Sequence, residues 1–280
     1  MLIDFHTHTH NSPDADRKSV ADLCRRAIDL NLDALAVTDH CEVNRFYSME
    51  YYHAKPHPYN LYDFGESFEK SMIENTAEKE NFRGKLNLIC GIELGQATHD
   101  FETADKVADD KRLDFIIGSM HELPGHDDFA FMDYSKENIP ALLEMYFNEI
   151  LKLCKWGRFD ILGHLTYTLR YIEGEYGYKA DISPYRDTIA ESFRLLISKG
   201  KGIEINTSGL RQKYGKTFPD LEYVKLFRDL GGEVLSIGSD SHSPDDLAKG
   251  IKEGLALAQS AGFEYVCRFE QHKPVFMKIK

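Results

Sequence analysis

Short apolar runs rich in β-branched residues alternate along the chain with longer segments whose apolar residues recur at helical spacing. This alternation is typical of βαβ units built around a parallel sheet. Seven strands are predicted: Leu2 to Phe5, Ala34 to Thr38, Leu86 to Ile92, Phe115 to Ser119, Phe159 to Gly163, Gly202 to Asn206 and Val234 to Ile237. Seven helices are predicted between and after them: Ser19 to Leu30, Phe64 to Phe82, Glu102 to Lys111, Lys136 to Lys155, Pro184 to Lys199, Pro219 to Leu230 and Pro244 to Ala261.

Residue types near the helix ends carry their own signals. The dipeptides Ser183–Pro184 and Ser243–Pro244 each combine an N-cap residue with proline at the first helical position. A helix is therefore predicted to begin at each pair. Gly231 and Gly262 stand where two helices should end, because glycine readily adopts the backbone conformation that terminates a helix.

The organisation of the chain favours a single domain. No break in composition, proline-rich linker or internal repeat divides residues 1–280. The longest irregular stretch, Cys41 to Asp63, is interpreted either as a wall of a binding site or as a small hydrophobic cluster over one end of the sheet. It carries six aromatic side chains: Phe46, Tyr47, Tyr51, Tyr52, Tyr59 and Tyr62.

Histidines and carboxylates recur at or just past the carboxyl ends of the predicted strands. Six of the 12 histidines and two carboxylates share this register: His6, His8, His40, His121, His164 and His242, with Glu93 and Asp240. In a (β/α) barrel these strand ends share one rim, so residues distant in sequence converge there. Any one of them alone has an ordinary structural explanation. The shared register favours a common site, because imidazole is costly to bury without a partner.

Metal ions are the partner that this donor set predicts. Imidazole nitrogens and carboxylate oxygens, without cysteine sulfur, suit zinc, iron or manganese in a reactive site. Eight donors exceed what one ion uses, and Asp14 is a candidate ninth. Two or three divalent ions are therefore expected, with Glu93 bridging a pair. The remaining histidines lack the strand-end register and are expected at the surface or in loops, with His10 left open: His53, His57, His99, His126 and His272.

Composition narrows the class of partner. The 46 acidic and 34 basic residues give a formal net charge of −12, which disfavours a nucleic-acid or anionic-membrane surface. Because the protein is acidic, a phosphorylated substrate needs metal ions or arginines that make the electrostatic potential at the site positive. No apolar run approaches the roughly 20 residues of a membrane span and no cationic leader is present, so a cytoplasmic protein is predicted. The five cysteines form no CxxC pair and are expected to be buried free thiols.

The motifs resemble those of the PHP (polymerase and histidinol phosphatase) superfamily, in order and over nearly the whole chain. They are Asp4 to Thr9, Thr38 to His40, Gly91 to Glu93, Gly118 to His121, Gly163 to His164 and Gly238 to His242. Within that superfamily the chain is most similar to the stand-alone histidinol-phosphatases, at Glu93 to Gly95 and Ile205 to Arg211. The resemblance implies a distorted seven-stranded (β/α) TIM-like barrel with a trinuclear metal site. It also implies hydrolysis of L-histidinol phosphate to L-histidinol and inorganic phosphate in histidine biosynthesis.

Carried over onto this chain, the resemblance implies three ion positions whose ligands come from the strand-end set. The ligands are His6, His8, Glu93 and Asp240 for the first ion, Glu93, His121 and His164 for the second, and His40 and His242 for the third. Asp14 stands where many family members have a histidine at the third ion. A carboxylate there favours a harder metal than an imidazole does.

The chemistry follows from the ions. Clustered divalent ions furnish hydroxide near neutral pH and neutralise phosphoryl oxygens, so no protein nucleophile is needed. The expected catalytic residues are Glu93, as the bridge between two ions, and Asp240 and His242, as candidate proton carriers. Arg170 and Arg211, in loops at the same rim, are expected to clamp the phosphate, because guanidinium pairs with phosphate in a bidentate way.

Two questions stay open: which residues contact the part of the substrate beyond its phosphate, and which of several functions the chain has. Glu42, Asp63 and the loop tyrosines are candidates to contact the ammonium and imidazole groups of histidinol phosphate. A metal-dependent amidohydrolase also begins with HxH and ends with an aspartate, although many binuclear members use a modified lysine where this chain has Glu93. Another PHP phosphoesterase, acting on a different metabolite or on DNA, would use the same ions. A non-catalytic metal-binding module would not need the arginines.

Overall fold

The computed structural model describes residues 2–43 and 64–279, apart from the side chains of residues 64–66. The described strands are β1 (Ile3–Asp4), β2 (Ala34–Val37), β3 (His40–Glu42), β4 (Asn87–Gly95), β5 (Phe115–Ser119), β6 (Ile161–Leu162), β7 (Gly202–Asn206), β8 (Leu235–Gly238), β9 (Tyr265–Glu270) and β10 (Lys273–Lys278). The described α-helices are α1 (Val20–Asp29), α2 (Phe64–Asn81), α3 (Phe101–Ala108), α4 (Ile139–Trp156), α5 (Arg186–Ser198), α6 (Leu221–Asp229) and α7 (Ile251–Ser260).

The strands form a parallel sheet that is nearly closed into a barrel. Their order is β1-β2-β4-β5-β6-β7-β8, and β3 pairs with β4. The two ends of the sheet meet, because the Phe5 N–H donates to the Ile237 carbonyl at 3.1 Å and the Asp240 N–H donates to the His6 carbonyl at 2.7 Å. The predicted distorted (β/α) barrel is thereby confirmed, and β3 is an additional short strand that the sequence analysis does not predict.

The apolar patterns account for the packing. All residues of β2, β5, β7 and β8 are buried, as strands covered on both faces require. Helix α1 begins at a capping box in which Ser19 and Asp22 satisfy each other's backbone N–H groups. Its buried residues, which include Leu23 and Ala27, lie on one face. Helix α1 therefore covers the sheet with one apolar stripe.

The β9–β10 hairpin, which the sequence analysis also misses, covers the amino-terminal ends of the strands. The Phe269 ring stacks on Phe115 of β5 with ring centroids 4.6 Å apart. The His272 N–H donates at 2.7 Å to the carbonyl of Asp114, immediately before β5. The hairpin thus occupies the amino-terminal end of the barrel. The predicted ligand residues lie at the opposite rim, where the strands end.

Two predicted helix starts are wrong. The residues after Ser243–Pro244 form turns, and α7 begins only after Gly250, whose φ is +82°. The N–H of Ala248 is bound by the buried Asp4 carboxylate at 2.8 Å and Ala248 itself has a φ of +63°, so this segment cannot be helical. At Ser183–Pro184 a short 3₁₀ turn, whose N-cap is Ile182, leads directly into α5, so the α-helix begins two residues later than predicted and Ser183 is not its N-cap.

The long irregular segment is described only at its start, where Cys41 and Glu42 belong to β3. The aromatic residues predicted to form a wall lie outside the described residues.

All five cysteines are buried and unpaired, as predicted. Within the described part of the chain, no helix combines the length and the apolar character that crossing a bilayer requires. The organisation of residues 1–280 as a single domain stays a prediction.

Candidate metal centre

The carboxyl ends of the strands bring the predicted ligands together. Each of the nine lies in contact with at least one other member of the set, although they come from loops and strands throughout the chain. The set is His6, His8, Asp14, His40, Glu93, His121, His164, Asp240 and His242. Glu93, at the middle of the cluster, presents one oxygen to each of two groups of histidines.

One group faces Glu93 Oε2. This oxygen lies 3.2 Å from His6 Nε2 and 3.5 Å from His8 Nε2. Asp240 Oδ1 lies 3.6 Å and 3.3 Å from the same two nitrogens. Donors that surround a zinc ion tetrahedrally at about 2.0–2.1 Å are about 3.3 Å apart, so the spacing fits one ion. Both imidazole Nε2 atoms are buried and accept no hydrogen bond from the described residues, which leaves their lone pairs available.

The second group faces Glu93 Oε1. This oxygen lies 2.7 Å from His164 Nε2 and 3.2 Å from His121 Nε2, and the two nitrogens are 3.2 Å apart. The Ser119 hydroxyl donates to the same oxygen at 2.6 Å. The donor set can therefore hold a second ion that shares the Glu93 carboxylate with the first.

A third group lies nearer to solvent. Asp14 Oδ2 is 3.0 Å from His242 Nε2 and 3.5 Å from His40 Nε2. The His40 ring also turns its Nδ1 toward Glu93 Oε2, at 3.1 Å. The His8 ring stacks on His242 with centroids 4.2 Å apart, so the third group adjoins the first.

Acidic residues behind the cluster orient three of the imidazoles. Glu204 Oε1 lies 2.8 Å from His6 Nδ1, and Glu42 Oε1 lies 2.9 Å from His121 Nδ1. Ser12 Oγ lies 3.0 Å from His8 Nδ1 and donates to the Asp39 carboxylate at 2.9 Å. These contacts fix the ring tautomer in which Nε2 keeps its lone pair for a metal.

The sequence analysis misses these supporting residues. Glu204 interrupts the apolar strand β7, and a charged residue inside a buried strand is a usable signal. The predicted substrate contact of Glu42 is not supported, because its side chain is 1% exposed and packs behind His121 and His40. Asp63, its proposed companion, lies outside the described residues.

The charges of the cluster are strongly coupled. Burial by itself favours the neutral acid, yet the imidazoles of His6, His121 and His40 hold the pKa of Glu93 well below its ordinary value. Burial disfavours imidazolium, yet Glu42 and Glu93 raise the pKa of His121 well above its ordinary value. For His8, burial and the adjacent His242 and His40 lower the pKa to about 3. Cations therefore suit a centre with so many buried carboxylates.

Two cavities open beside the cluster. One, of about 370 Å³, is lined by Arg170, Arg211, Asp14, His242 and other polar residues. The other, of about 120 Å³, is lined by Asp128, aromatic residues and Arg170 beside His40 and His121. Both predicted arginines thus reach the rim, and Arg170 lines both cavities.

The other histidines divide between surface and interior. His10 binds Glu74 at 2.6 Å, away from the cluster, and its side chain is 42% exposed. His99 lies in a 3₁₀ turn of the connection between β4 and α3, as a loop residue would, but it is buried beside Glu122, so a surface position is wrong for it. His53 and His57 lie outside the described residues.

A parallel barrel that gathers imidazoles and carboxylates at its carboxyl-end rim defines the class of metal-dependent barrel enzymes. Within this class the chain belongs to the PHP domain family, whose model matches residues 4–208. The resemblance seen in the motifs is therefore confirmed.

Curated relatives and a solved structure agree with this family. The chain is 27% identical to a probable histidinol-phosphatase of Thermotoga maritima, with 100% of each chain covered. It is 26% identical to a histidinol-phosphatase of Lactococcus lactis subsp. lactis, over 97% of this chain and 95% of the relative. A crystal structure of histidinol phosphate phosphatase from that organism, complexed with zinc, L-histidinol and phosphate, matches with a TM-score of 0.79 and 23% identity, covering 98% of each chain.

Proposed function

We propose that this protein is a metal-dependent phosphomonoesterase that hydrolyses L-histidinol phosphate to L-histidinol and phosphate in histidine biosynthesis. The observation that carries the proposal is Glu93, whose two oxygens face two separate histidine groups beside a cavity lined by arginines. Paired divalent ions and a cationic cavity are what hydrolysis of a phosphate ester requires. The names of the full-length relatives supply the substrate.

Three ion positions are assigned, to be filled by zinc, iron or manganese. The ligands are His6, His8, Glu93 and Asp240 at the first position, Glu93, His121 and His164 at the second, and Asp14, His40 and His242 at the third. When bound, such ions lower the pKa of water and neutralise the phosphoryl oxygens. Asp240 and His242 are the candidate proton carriers toward the leaving oxygen in this proposal, and His242 Nδ1 lies 3.6 Å from Asp240 Oδ1.

Arg170 is the principal phosphate-binding residue in this proposal. Its guanidinium forms no ion pair or side-chain hydrogen bond with the described residues and lies over the Tyr171 ring, 5.2 Å from the centroid. Arg211 shares the cavity, but its Nη2 donates to the carbonyls of Ser239 at 2.9 Å and Asp240 at 3.3 Å. Its Nη1 also faces the Lys249 carbonyl at 3.5 Å and its Nε lies 3.7 Å from Asp246 Oδ2, so Arg211 braces the Asp240 loop and is the secondary phosphate contact in this proposal.

The smaller cavity suits the alcohol half of the substrate. It presents the Asp128 carboxyl group and the rings of Phe131, Tyr167 and Tyr171 beside His121. Histidinol carries an ammonium group and a flat imidazole, which pair with a carboxylate and stack on aromatic rings. Specificity for this phosphate ester then comes from a cavity adjoining the ions.

One assay separates the candidate functions. Metal-loaded protein is offered L-histidinol phosphate, a generic phosphomonoester, single-stranded DNA and a cyclic amide, and product formation is followed for each. We expect the highest kcat/KM for L-histidinol phosphate. Turnover confined to the cyclic amide would replace this reaction with that of an amidohydrolase. No turnover of any substrate would leave a metal-binding module.

Replacement of Arg170 tests the phosphate cavity. We expect Arg170→Ala to lower kcat/KM for L-histidinol phosphate by about 10- to 100-fold, because a hydrogen bond to a charged group contributes about 1.5–3 kcal/mol. Inhibition by inorganic phosphate should weaken in parallel. Arg186→Ala is the matched control, since Arg186 is 46% exposed and pairs with Glu222 on the surface. Equal kinetics for both variants would remove Arg170 from the site.

A further inference from the structure

A single buried carboxylate closes the loop that follows β8. Asp4, the last residue of β1, is 0% exposed. Its Oδ1 accepts the N–H of Ser239 at 2.8 Å, and its Oδ2 accepts the N–H of Ala248 at 2.8 Å and the Ser239 hydroxyl at 2.5 Å. Residues 239–248, here termed the β8 loop, belong to no helix or strand. Both ends of the β8 loop are thus bound to one side chain.

Two residues of the β8 loop adopt a left-handed backbone conformation. The φ angle is +53° at Asp240, directly after Ser239, and +63° at Ala248. Neither residue is a glycine, so this conformation costs free energy at both positions. Such conformations persist only where surrounding contacts hold them, and they cluster at functional sites. The Asp4 carboxylate binds the residue before Asp240 and Ala248 itself, so it is placed to hold both.

The other backbone contacts of Asp240 depend on the same conformation. The Asp240 N–H donates to the His6 carbonyl at 2.7 Å. The Asp240 carbonyl accepts from Arg211 Nη2 at 3.3 Å and lies 3.1 Å from His242 Nδ1. A rotation of the backbone out of the left-handed region would change these contacts together and would turn the Asp240 carboxylate away. The direction of this carboxylate therefore depends on a backbone that Asp4 holds from the preceding residue.

We infer that Asp4 is a positioning residue, which acts on catalysis by holding the β8 loop so that Asp240 and His242 can deliver a proton. This inference rests on the proposed function, in which these two residues are the candidate proton carriers. In hydrolysis of an alkyl phosphate, a water oxygen bonds to phosphorus while the P–O ester bond breaks, and the departing alkoxide takes up a proton. A nitrophenolate leaves without that proton. Loss of the contacts to Asp4 therefore slows an alkyl ester more than an aryl ester.

A comparison of two esters tests the inference. Asp4→Asn keeps the shape of the side chain but has one acceptor oxygen in place of two, so one backbone N–H loses its acceptor. General acid–base catalysis contributes roughly 10²- to 10⁴-fold, and a misplaced proton carrier loses part of this. We expect kcat for L-histidinol phosphate to fall about 10-fold more than kcat for p-nitrophenyl phosphate. Equal losses for the two esters would overturn the inference, because a merely structural role of Asp4 affects both alike.

Amide hydrogen exchange, followed by mass spectrometry on metal-loaded protein, measures the β8 loop directly. In Asp4→Asn, exchange should be about 10-fold faster in peptides from residues 239–248, the effect of one lost hydrogen bond to a charged group, and unchanged in peptides from β5. Unchanged exchange in the β8 loop would overturn the inference.

Asp33→Asn is the matched control. Asp33 is exposed, and its carboxylate also accepts a backbone N–H, from Leu2 at 2.7 Å, but before the opposite end of β1. This variant should leave both the exchange of the β8 loop and the ratio of the two kcat values as in the parent protein. Equal effects of Asp33→Asn and Asp4→Asn would mean that any weakening near β1 acts in this way, and the role assigned to Asp4 would be wrong.

Ser239→Ala decides the question if Asp4→Asn does not fold. This variant removes the hydroxyl that donates to Asp4 and leaves both backbone N–H contacts in place. We expect a ratio of kcat for L-histidinol phosphate to kcat for p-nitrophenyl phosphate that is about 3-fold lower, as one ordinary hydrogen bond is lost. Exchange should be faster in the β8 loop alone. An unchanged ratio in this variant would then overturn the inference.

The parent protein separates this inference from the proposed function. Failure of the parent to hydrolyse either ester refutes the proposed function before any variant is compared. Hydrolysis of p-nitrophenyl phosphate without hydrolysis of L-histidinol phosphate refutes the proposed substrate, and glycerol 3-phosphate then serves as the alkyl ester in the comparison. Hydrolysis of both esters by the parent, with equal losses in Asp4→Asn, refutes only the positioning role of Asp4.

Discussion

At the scale of single residues, the imidazoles of His6 and His121 are each oriented by a carboxylate outside the proposed ligand set. Glu204 illustrates the principle, since one oxygen lies against the His6 ring and the other accepts the His164 backbone N–H at 2.9 Å. A single carboxylate thus positions one residue of the group that faces Glu93 Oε2 and one of the group that faces Glu93 Oε1. Asn206 extends the network by donating to Glu204 and to Asp240. The metal affinity of the centre depends on this layer as well as on the ligands.

Loss of the Glu204 charge should therefore weaken metal binding. We expect Glu204→Gln to lower zinc affinity on the order of 10- to 100-fold, because the ring of His6 loses a charged acceptor. Competition with a chromophoric chelator measures this directly. Glu222→Gln, at a 63% exposed surface position, is the control. Unchanged affinity in Glu204→Gln would show that the contact is packing alone.

Buried His99 should make folding sensitive to acid. Burial lowers the pKa of His99 to about 4, against the opposing charges of Glu149 and Glu42. A depressed folded-state pKa stabilises the fold fully above the unfolded value near 6.5, and this contribution is lost as pH falls toward 4. Between those pH values, wild-type protein should lose on the order of 3 kcal/mol relative to His99→Gln.

Urea unfolding of both proteins at several pH values measures this difference, and the shared contribution of the metal centre cancels in the comparison. His126→Gln, in the loop after β5, is the matched control and should track the wild type. A gap between wild type and His99→Gln that stays constant with pH would contradict the prediction.

Prediction from sequence succeeds at this scale where a residue marks a strand end. His6, Glu93 and His164 were found because the end of an apolar run fixes their place on the rim. The partners of these residues escape the same reasoning. Glu204 lies within a strand, and Ser12 lies in a loop whose course is set by contacts with distant residues, so only tertiary structure shows what they touch.

At the scale of elements, the buried strands were predictable because burial on both faces gives continuous apolar runs. The β9–β10 hairpin was missed because its strands mix exposed, half-buried and buried positions without a regular period and include charged residues, so neither gives an apolar run or a clear alternation. The start of α7 was misplaced because Asp4, far away in sequence, binds the backbone of Ala248. Local signals fail where a distant side chain determines the backbone.

The hairpin makes a stabilising contact that can be measured. Phe269 is 1% exposed and packs on Phe115, whereas Phe276 of the same hairpin is 47% exposed. We expect Phe269→Ala to lower the free energy of unfolding by about 3–5 kcal/mol, since it leaves a cavity in the core. Phe276→Ala should change it by less than about 0.5 kcal/mol. Equal losses in urea unfolding would mean that the hairpin does not seal the barrel.

At the scale of the whole molecule, negative charge surrounds a site that must receive an anion. The formal net charge is −12, and several of the carboxylates responsible lie buried at the rim. Divalent ions bound at the rim would offset this local charge, and Arg170 and Arg211 add positive charge at the cavity. The metal centre is thus expected to serve stability as well as chemistry.

Removal of the ions should therefore destabilise the entire fold. An ion present at 1,000 times its dissociation constant contributes about 4 kcal/mol to the folded state. At roughly 2–4 °C per kcal/mol, a chelator should lower the Tm by about 10 °C or more. Calorimetry with and without chelator checks this, and re-addition of zinc should restore the Tm. An identical Tm in both conditions would show that the rim is stable without ions.

The meeting of β1 and β8 bears on how the protein matures. His6 and His8 leave the ribosome early, whereas Asp240 emerges only when translation has passed the eighth strand. Contacts between such remote parts of a chain form late, because they require the intervening segments to be ordered first. An ion held by these residues would therefore be acquired near the end of maturation. A cell starved of metal would accumulate finished chains whose outermost strands are joined only by hydrogen bonds within the protein, from the backbone and from the Asp4 carboxylate.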